Sequence, residues 1–303
     1  MVIRLRQALL LTLVVSLVPI VGSAQDDAAS DTLTGWQTNV IFDLTATQVS
    51  YSDSWTGGEA GSFSWVSNLN ADAEKKLADW VDLRSVLRLS FGQTLIQNDS
   101  NQWQKPQKAT DLIDWETVAS YDIHWAAEPY TAFRLESQFV DASVSDKKRY
   151  FSPMTLTESA GLTKGFYKKD EDFFKSRIGG AVRQTITSVI TDMEELTTER
   201  ETTTDFGFES VTDAQLTLSD KLLYIGKLTL YKAVSFSESD ELEGTVREDY
   251  WKAVDVDWEN TVKAEISKIV TVSFYTQFLY DKQISKKGRL KQTLGIGVTY
   301  KLM

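Results

Sequence analysis

The chain has no cysteine, a single histidine and only four prolines in 303 residues. Without cysteine there are no disulfides and no thiol nucleophile. No cluster with metal-ligand spacing appears, so neither a metal nor a cofactor is expected. Basic excess is missing too. The formal net charge is −11, which argues against nucleic acid as a partner. Beyond residue 21 there is no apolar run of eighteen residues, so no helical membrane span is expected. If the mature chain enters a membrane, it must do so as a closed β-barrel, because lipid offers no partner for an open sheet edge.

The N-terminus carries Arg4 and Arg6, then an apolar stretch over residues 8–21, then Gly22-Ser23-Ala24. This order is that of a secretory signal peptide, residues 1–24, cut after Ala24. The apolar stretch is too short for a retained helical anchor. Removing it takes away two arginines and no acid, which moves the charge to about −13. Residues 25–34 form a polar leader too small to be a plug domain. Residues 35–303 are the expected barrel.

Residues 108–141 organise the rest. One parity reads Ala109, Asp111, Ile113, Trp115, Thr117, Ala119, Tyr121, Ile123 and Trp125; the other is mostly charged or polar, with Asp114, Glu116, Asp122 and His124. A period of two held this long exceeds the usual strand of about five or six residues. A turn is expected at residues 126–129. The pattern then resumes with Thr131, Phe133, Leu135, Ser137 and Phe139 against Arg134, Glu136 and Gln138. A long hairpin, apolar outside and charged inside, suits the wall of a transmembrane barrel. A soluble β-sandwich has shorter strands, with turns about every eight to twelve residues.

The same alternation predicts twelve antiparallel strands: 35–50, 61–73, 81–96, the two hairpin arms, 156–167, 174–191, 205–218, 222–236, 250–266, 269–281 and 291–302. Their connections alternate between long (51–60, 97–107, 142–155, 192–204, 237–249, 282–290) and short, as in bacterial outer-membrane barrels. Aromatics sort by strand end. Trp36, Trp125, Phe166, Tyr224 and Tyr300 fall near the short turns. Trp65, Phe139, Phe206, Phe208, Tyr250, Phe278 and Tyr280 fall near the long loops. Two such girdles are what a bilayer selects; a bare preference of aromatics for strands would not sort them by end. In the last strand Ile296, Val298, Tyr300 and Leu302 alternate, although the sequence ends in Met303 rather than an aromatic.

Lys108-Ala109-Thr110-Asp111 opening one strand, Ser137-Gln138-Phe139 closing the next, and the turn Trp55-Thr56-Gly57-Gly58 carry a resemblance. They look like an uncharacterised family of outer-membrane barrels known only as a domain of unknown function. The resemblance implies a location and a fold and supplies no activity.

Ser120, Asp122 and His124 suggest a hydrolase at first sight, and the chain is similar in strand number to the twelve-stranded outer-membrane phospholipase. Residues two apart on a strand, however, point the same way in a row and do not converge as a triad. No catalytic residue is expected, and His124 is read as lumen-lining or turn-stabilising. The acidic loops lack the spacing of a calcium loop. The basic tip at residues 146–150 is a candidate contact for lipopolysaccharide phosphates, with a plain exposed loop as the alternative.

The lumen is the informative site. Arg84, Arg88, Asp114, Glu116, Arg134, Glu136, Arg177, Arg183, Asp255, Asp257 and Glu259 fall on the inward parity. Arg84, Arg88 and Arg134 are each placed to face Asp114 and Glu116. Such charges persist only if paired or wet. They either line a water-filled pore or cross-link a closed barrel. Twelve strands fall between the filled eight-stranded and the open sixteen-stranded cases. The sequence therefore predicts a monomeric outer-membrane barrel, a passive porin-like channel for small hydrophilic solutes. The alternative is a non-conducting structural or assembly barrel whose loops bind partners. Expected partners are outer-membrane lipids, lipopolysaccharide and, during insertion, the barrel-assembly machinery.

Overall fold

A computed structural model describes residues 35–51, 60–98, 100, 102–144, 146–192 and 194–301, with side chains up to residue 298. The expected signal peptide, the leader, the turn at 55–58 and Leu302 lie outside the described residues. The chain forms β1 Gln37–Val49, β2 Ser62–Ala78, β3 Val81–Ile96, β4 Gln107–Tyr121, β5 Glu128–Ser137, β6 Val140–Val144, β7 Lys147–Tyr150, β8 Met154–Lys169, β9 Asp172–Asp192, β10 Thr197–Ser219 and β11 Leu222–Phe236. The short helix α1 Ser239–Leu242, β12 Val254–Glu265, β13 Val270–Tyr280 and β14 Arg289–Lys301 complete it.

Twelve strands close into one barrel in the order β1-β14-β13-β12-β11-β10-β9-β8-β5-β4-β3-β2, and β6–β7 form a separate hairpin. The seam is β1 against β14, from Ile41↔Lys301 to Thr45↔Gly297. Closure leaves no edge in the wall, so every strand finds partners on both sides.

Directly opposed residues of antiparallel strands share a face, so the register tests the two-sided reading. Leu87, Trp115, Leu135 and Leu156 form one row across β3, β4, β5 and β8. One residue away, Arg88, Asp114 and Glu136 form the adjacent row. The first row faces outward and the second inward. Burial then runs opposite to that of a water-soluble protein. Leu294 is 72% exposed and Ile178 62%, whereas Asp114 is 2% and Arg177 6%. Large apolar side chains facing out around a charged interior define a transmembrane β-barrel. On the outer wall the Trp115 indole donates to the Ser85 hydroxyl at 2.9 Å, which satisfies it within the sheet face.

Several boundaries differ from expectation. The first hairpin arm stops at Tyr121. Asp122 accepts the His124 amide at 2.8 Å and His124 takes a left-handed φ of 57°, which turns the chain early. Glu128 and Pro129, expected in the turn, already belong to β5. Residues 192–204, expected to be a long loop, are mostly strand: β9 and β10 continue to Asp192↔Thr197. Their neighbours stop earlier, at Met154↔Ile186 and Asp205↔Phe236, so this hairpin stands beyond the wall. Its sequence, Thr-Thr-Glu-Arg-Glu-Thr-Thr-Thr, has β-branched residues but no apolar face, so hydrophobic alternation could not reveal it. The strand expected over 250–266 starts only at Val254.

The β6–β7 hairpin inside the loop expected at 142–155 has a local cause. The Asp111 carboxylate accepts the Phe139 and Val140 amides at 2.7 and 3.0 Å and pairs with Lys108 at 3.3 Å, which ends β5 and starts the excursion. Arg149 of β7 then binds Asp141, the Ser143 hydroxyl and the Ser188 carbonyl. One glycine is required by a close approach. A Cβ at Gly179 would lie 2.2 Å from the Ala160 carbonyl and 2.8 Å from the Tyr130 hydroxyl, so Tyr130 packs over it inside the barrel.

Two outcomes test this architecture. Leu135→Arg puts a charge on the lipid face, at about 2–4 kcal/mol near the midplane, and lowers folding yield into vesicles; Thr155→Arg, on the inward row beside Glu136, does not. Equal yields would contradict the facing. In the β6–β7 hairpin, burial raises the Asp141 pKa, but hydrogen bonds from Ser143 and the Arg149 charge outweigh it and hold the carboxyl below the usual range. Its stabilisation is therefore present above the ordinary Asp range and lost as pH falls through that depressed value. Amide exchange at residues 141–149 should accelerate there and not at neutral pH.

Candidate functional site

Every lumenal charge sits where period-two geometry puts it, but the partners come from the closure of the sheet. On β4, Asp114 and Glu116 lie two residues apart and point the same way. The Arg88 Nε donates to Asp114 Oδ2 at 2.9 Å, and the Arg134 Nε donates to Oδ1 at 3.0 Å. Arg134 also pairs with Glu136 at 2.9 Å. This cluster is local, between adjoining strands.

Two further contacts cross the interior. Arg88 on β3 pairs with Glu259 on β12 at 3.0 Å. Lys227 on β11 pairs with Glu116 on β4 at 3.1 Å. In the barrel order each pair is five strands apart, close to the greatest separation twelve strands allow. The two pairs are thus neighbouring chords that divide the lumen. Arg177 on β9 also reaches Glu116 and lies 3.9 Å from Glu209, which accepts the Ser159 hydroxyl at 3.2 Å. Tyr275 donates to Glu259 at 3.1 Å. At these two chords side chains from opposite walls meet at hydrogen-bond distance.

Toward the outer end a second group gathers on the inner wall. The Arg183 guanidinium donates to Asp205 at 3.1 Å and to Asp255 at 2.9 Å, and stands 4.1 Å over the Tyr231 ring. Tyr231 donates to Asp205. Above this group Trp251, from the loop between β11 and β12, packs against Ala181, Tyr231 and Ala233, with its ring 6.3 Å from Phe236. An aromatic stopper thus rests on the inner wall at the long-loop mouth. At the other end Phe173 lies 5.4 Å from Arg84 and 5.3 Å from Lys175.

Of the expected lumen residues, one is paired otherwise than predicted. Arg84 binds Asp72 at 3.0 Å and Glu74 at 2.9 Å on β2, not Asp114 or Glu116, because its register partner on that side is Glu74. Asp257 accepts the Gln277 amide at 3.0 Å. The girdle residues divide. Trp65 and Phe139 both pack on Phe91 at 5.9 Å, Phe166 meets Phe174 at 5.7 Å, and Phe206 meets Phe208 at 6.5 Å. Trp36 is exposed, with Lys75 over its ring; Phe278 pairs opposite Trp258, Tyr280 opposite Val256, and Tyr300 opposite Phe42. Tyr224 donates to Asn260 at 2.7 Å on the outer face. Two girdle residues lie just outside the strands expected to carry them: Trp125 in the turn after β4, and Tyr250 in the loop before β12. The turn forced by His124 displaces the first. The short turns after α1 displace the second.

Sequence reading missed Asp72, Glu74, Asp205 and Glu209 among the lumenal acids. The signal was present for the last two. With Phe206 and Phe208 outward, their odd-numbered neighbours had to face in. In the turn the His124 Nδ1 lies 3.5 Å from an Asp122 carboxylate oxygen, with the His124 side chain 88% exposed, and the left-handed turn at His124 carries both past the end of the strand that holds Ser120.

The fold and lumen define a twelve-stranded transmembrane β-barrel of the outer-membrane type. A family model described as a protein of unknown function (DUF3078) matches residues 46–142, a span that contains all three motifs of the resemblance. No curated protein matches the chain in sequence. Among solved structures it is similar to an outer membrane channel from Pseudomonas putida F1, at 12% identity and TM-score 0.40, covering 91% of this chain and 98% of that one. It is also similar to the translocator domain of the autotransporter NalP from Neisseria meningitidis, at 9% identity and TM-score 0.37, covering 89% of each. OprB from Pseudomonas putida is similar at 11% identity and TM-score 0.29, covering 88% and 94%. At such similarity, what those proteins do says nothing about this chain.

The chord pairs generate a stability test. Glu116→Gln strands Lys227 in the interior and takes from Arg177 its closer partner, and should cost about 3–5 kcal/mol in urea unfolding from vesicles. Adding Lys227→Met should recover part of it, since Arg177 keeps Glu209. A single-variant cost below about 1 kcal/mol, the range of exposed pairs, would contradict buried pairing.

Proposed function

We propose that this protein is a porin-like outer-membrane conduit for small hydrophilic solutes whose resting lumen is held shut by ion pairs. The observation that carries the reading is the pair of chords, Arg88–Glu259 and Lys227–Glu116. A lumen lined by acids and bases is suited to polar solutes, and paired charges are separable in a way that packed hydrocarbon is not. Trp251 adds a second closure at the outer mouth. The location is supported by the lipid-facing wall and by the secretory character of residues 1–24. No catalytic step is part of this proposal.

A second reading, a permanently closed structural barrel, is favoured by the depth of Asp114, which both Arg88 and Arg134 hold. Planar-bilayer recording separates the two. Under the conduit reading, wild-type protein passes no steady current, and the triple variant Arg88→Ala, Lys227→Ala, Trp251→Ala does. A large steady wild-type current overturns the closure. A folded but silent triple variant overturns the conduit in favour of the structural barrel.

A further inference from the structure

We propose that the outer rim between β11 and β14 binds the phosphate of an anionic lipid of the outer leaflet, through Lys232, Lys252, Lys282 and Lys286. Three cations converge on two consecutive aromatic residues, and a fourth reaches the same loop. The Lys282 and Lys286 ammonium groups stand 4.9 and 5.3 Å from the Tyr250 ring centroid, and Lys252 stands 5.3 Å from that of Trp251. Lys232 lies on the outward row, between Phe208 and Val254, and reaches up to donate to the Lys252 carbonyl. That is the posture of a lysine snorkelling from a lipid-facing wall.

Counter-charge here comes chiefly from Asp249, which bears on both Lys252 and Lys282. Lys252 is partnered by Asp249 at 2.7 Å, but among the described residues neither Lys282 nor Lys286 forms a salt bridge. Elsewhere the loops of the long end carry mostly acids, such as Glu194, Glu195, Glu199 and Glu201. Four lysines against Asp249 and Glu248 still leave an excess of positive charge at this rim, which suits an external anion.

The surroundings select a lipid over a free ion. The loop carrying Lys286 enters β14 beside the outward Phe278 ring, to which a Cβ at Gly288 would approach within 2.5 Å. Val254, Phe278, Leu290 and Leu294 are exposed on that wall, level with or beneath the lysines, where acyl chains would lie. The other basic stretch, residues 147–149, is less available. Its Arg149 is engaged by Asp141, Ser143 and Ser188. The proposal rests on the barrel's membrane setting and is independent of whether the lumen conducts.

The test is native mass spectrometry of the folded barrel in neutral detergent, titrated with diphosphorylated lipid A. Lys282→Gln with Lys286→Gln should weaken binding at least about tenfold, since each lysine near such a surface contributes appreciably. Lys147→Gln with Lys148→Gln should leave it unchanged, and dephosphorylated lipid A should bind the wild type poorly. Undiminished binding by the first pair, or equal binding of the dephosphorylated lipid, overturns the site. Competition by inorganic phosphate at the same concentration as lipid A overturns the lipid assignment.

Discussion

A charge enclosed by a barrel wall must be met by an opposite charge, a hydrogen-bond donor or water. Most of what is distinctive here follows from that requirement. Asp114 is met by Arg88 and Arg134, Glu116 by Arg177 and Lys227, and Glu259 by Arg88 and Tyr275. Because some of these partners stand on opposite walls, satisfying the charges also ties those walls together across the lumen. The outer surface answers the complementary requirement, that large apolar side chains face acyl chains rather than water.

Residues 250 and 251 link the two regions of interest. Trp251 enters the mouth and rests on Tyr231, while Tyr250 sits under the lysines of the neighbouring loop. One short segment thus touches both the lumen closure and the proposed lipid site. Under the proposed lipid binding, an anion gathered at Lys282 and Lys286 would bear on the loop that carries Trp251.

The fold was legible because a strand reports its own facing. Leu87, Leu135 and Leu156 alternate with Arg88, Arg134 and Thr157, and that pattern alone yields the number of strands and which side is wet. Three things were not legible. The Thr-rich continuation of β9 and β10 has no apolar face, so its strand character rests on β-branching alone. Trp251 sits in a loop, where no periodicity indicates whether a ring points to lipid or lumen. Partner choice was hidden as well. Parity says that Arg88 faces inward, but not that it meets Glu259, 171 residues away in sequence and across the barrel. That pairing depends on the sheet closing at twelve strands, a global property that no local window carries. Arg84, read as a partner of Asp114, shows the same limit on a smaller scale.

The central claim is that opposite walls are energetically joined. A double-mutant cycle on Arg88 and Glu259, read by urea unfolding in lipid vesicles, tests it most directly. The account predicts that Arg88→Met and Glu259→Gln together cost less than the sum of the two alone, with a coupling of about 0.5–3 kcal/mol. Additive costs would mean that the two walls do not meet, and that the lumen is open where we describe it as closed.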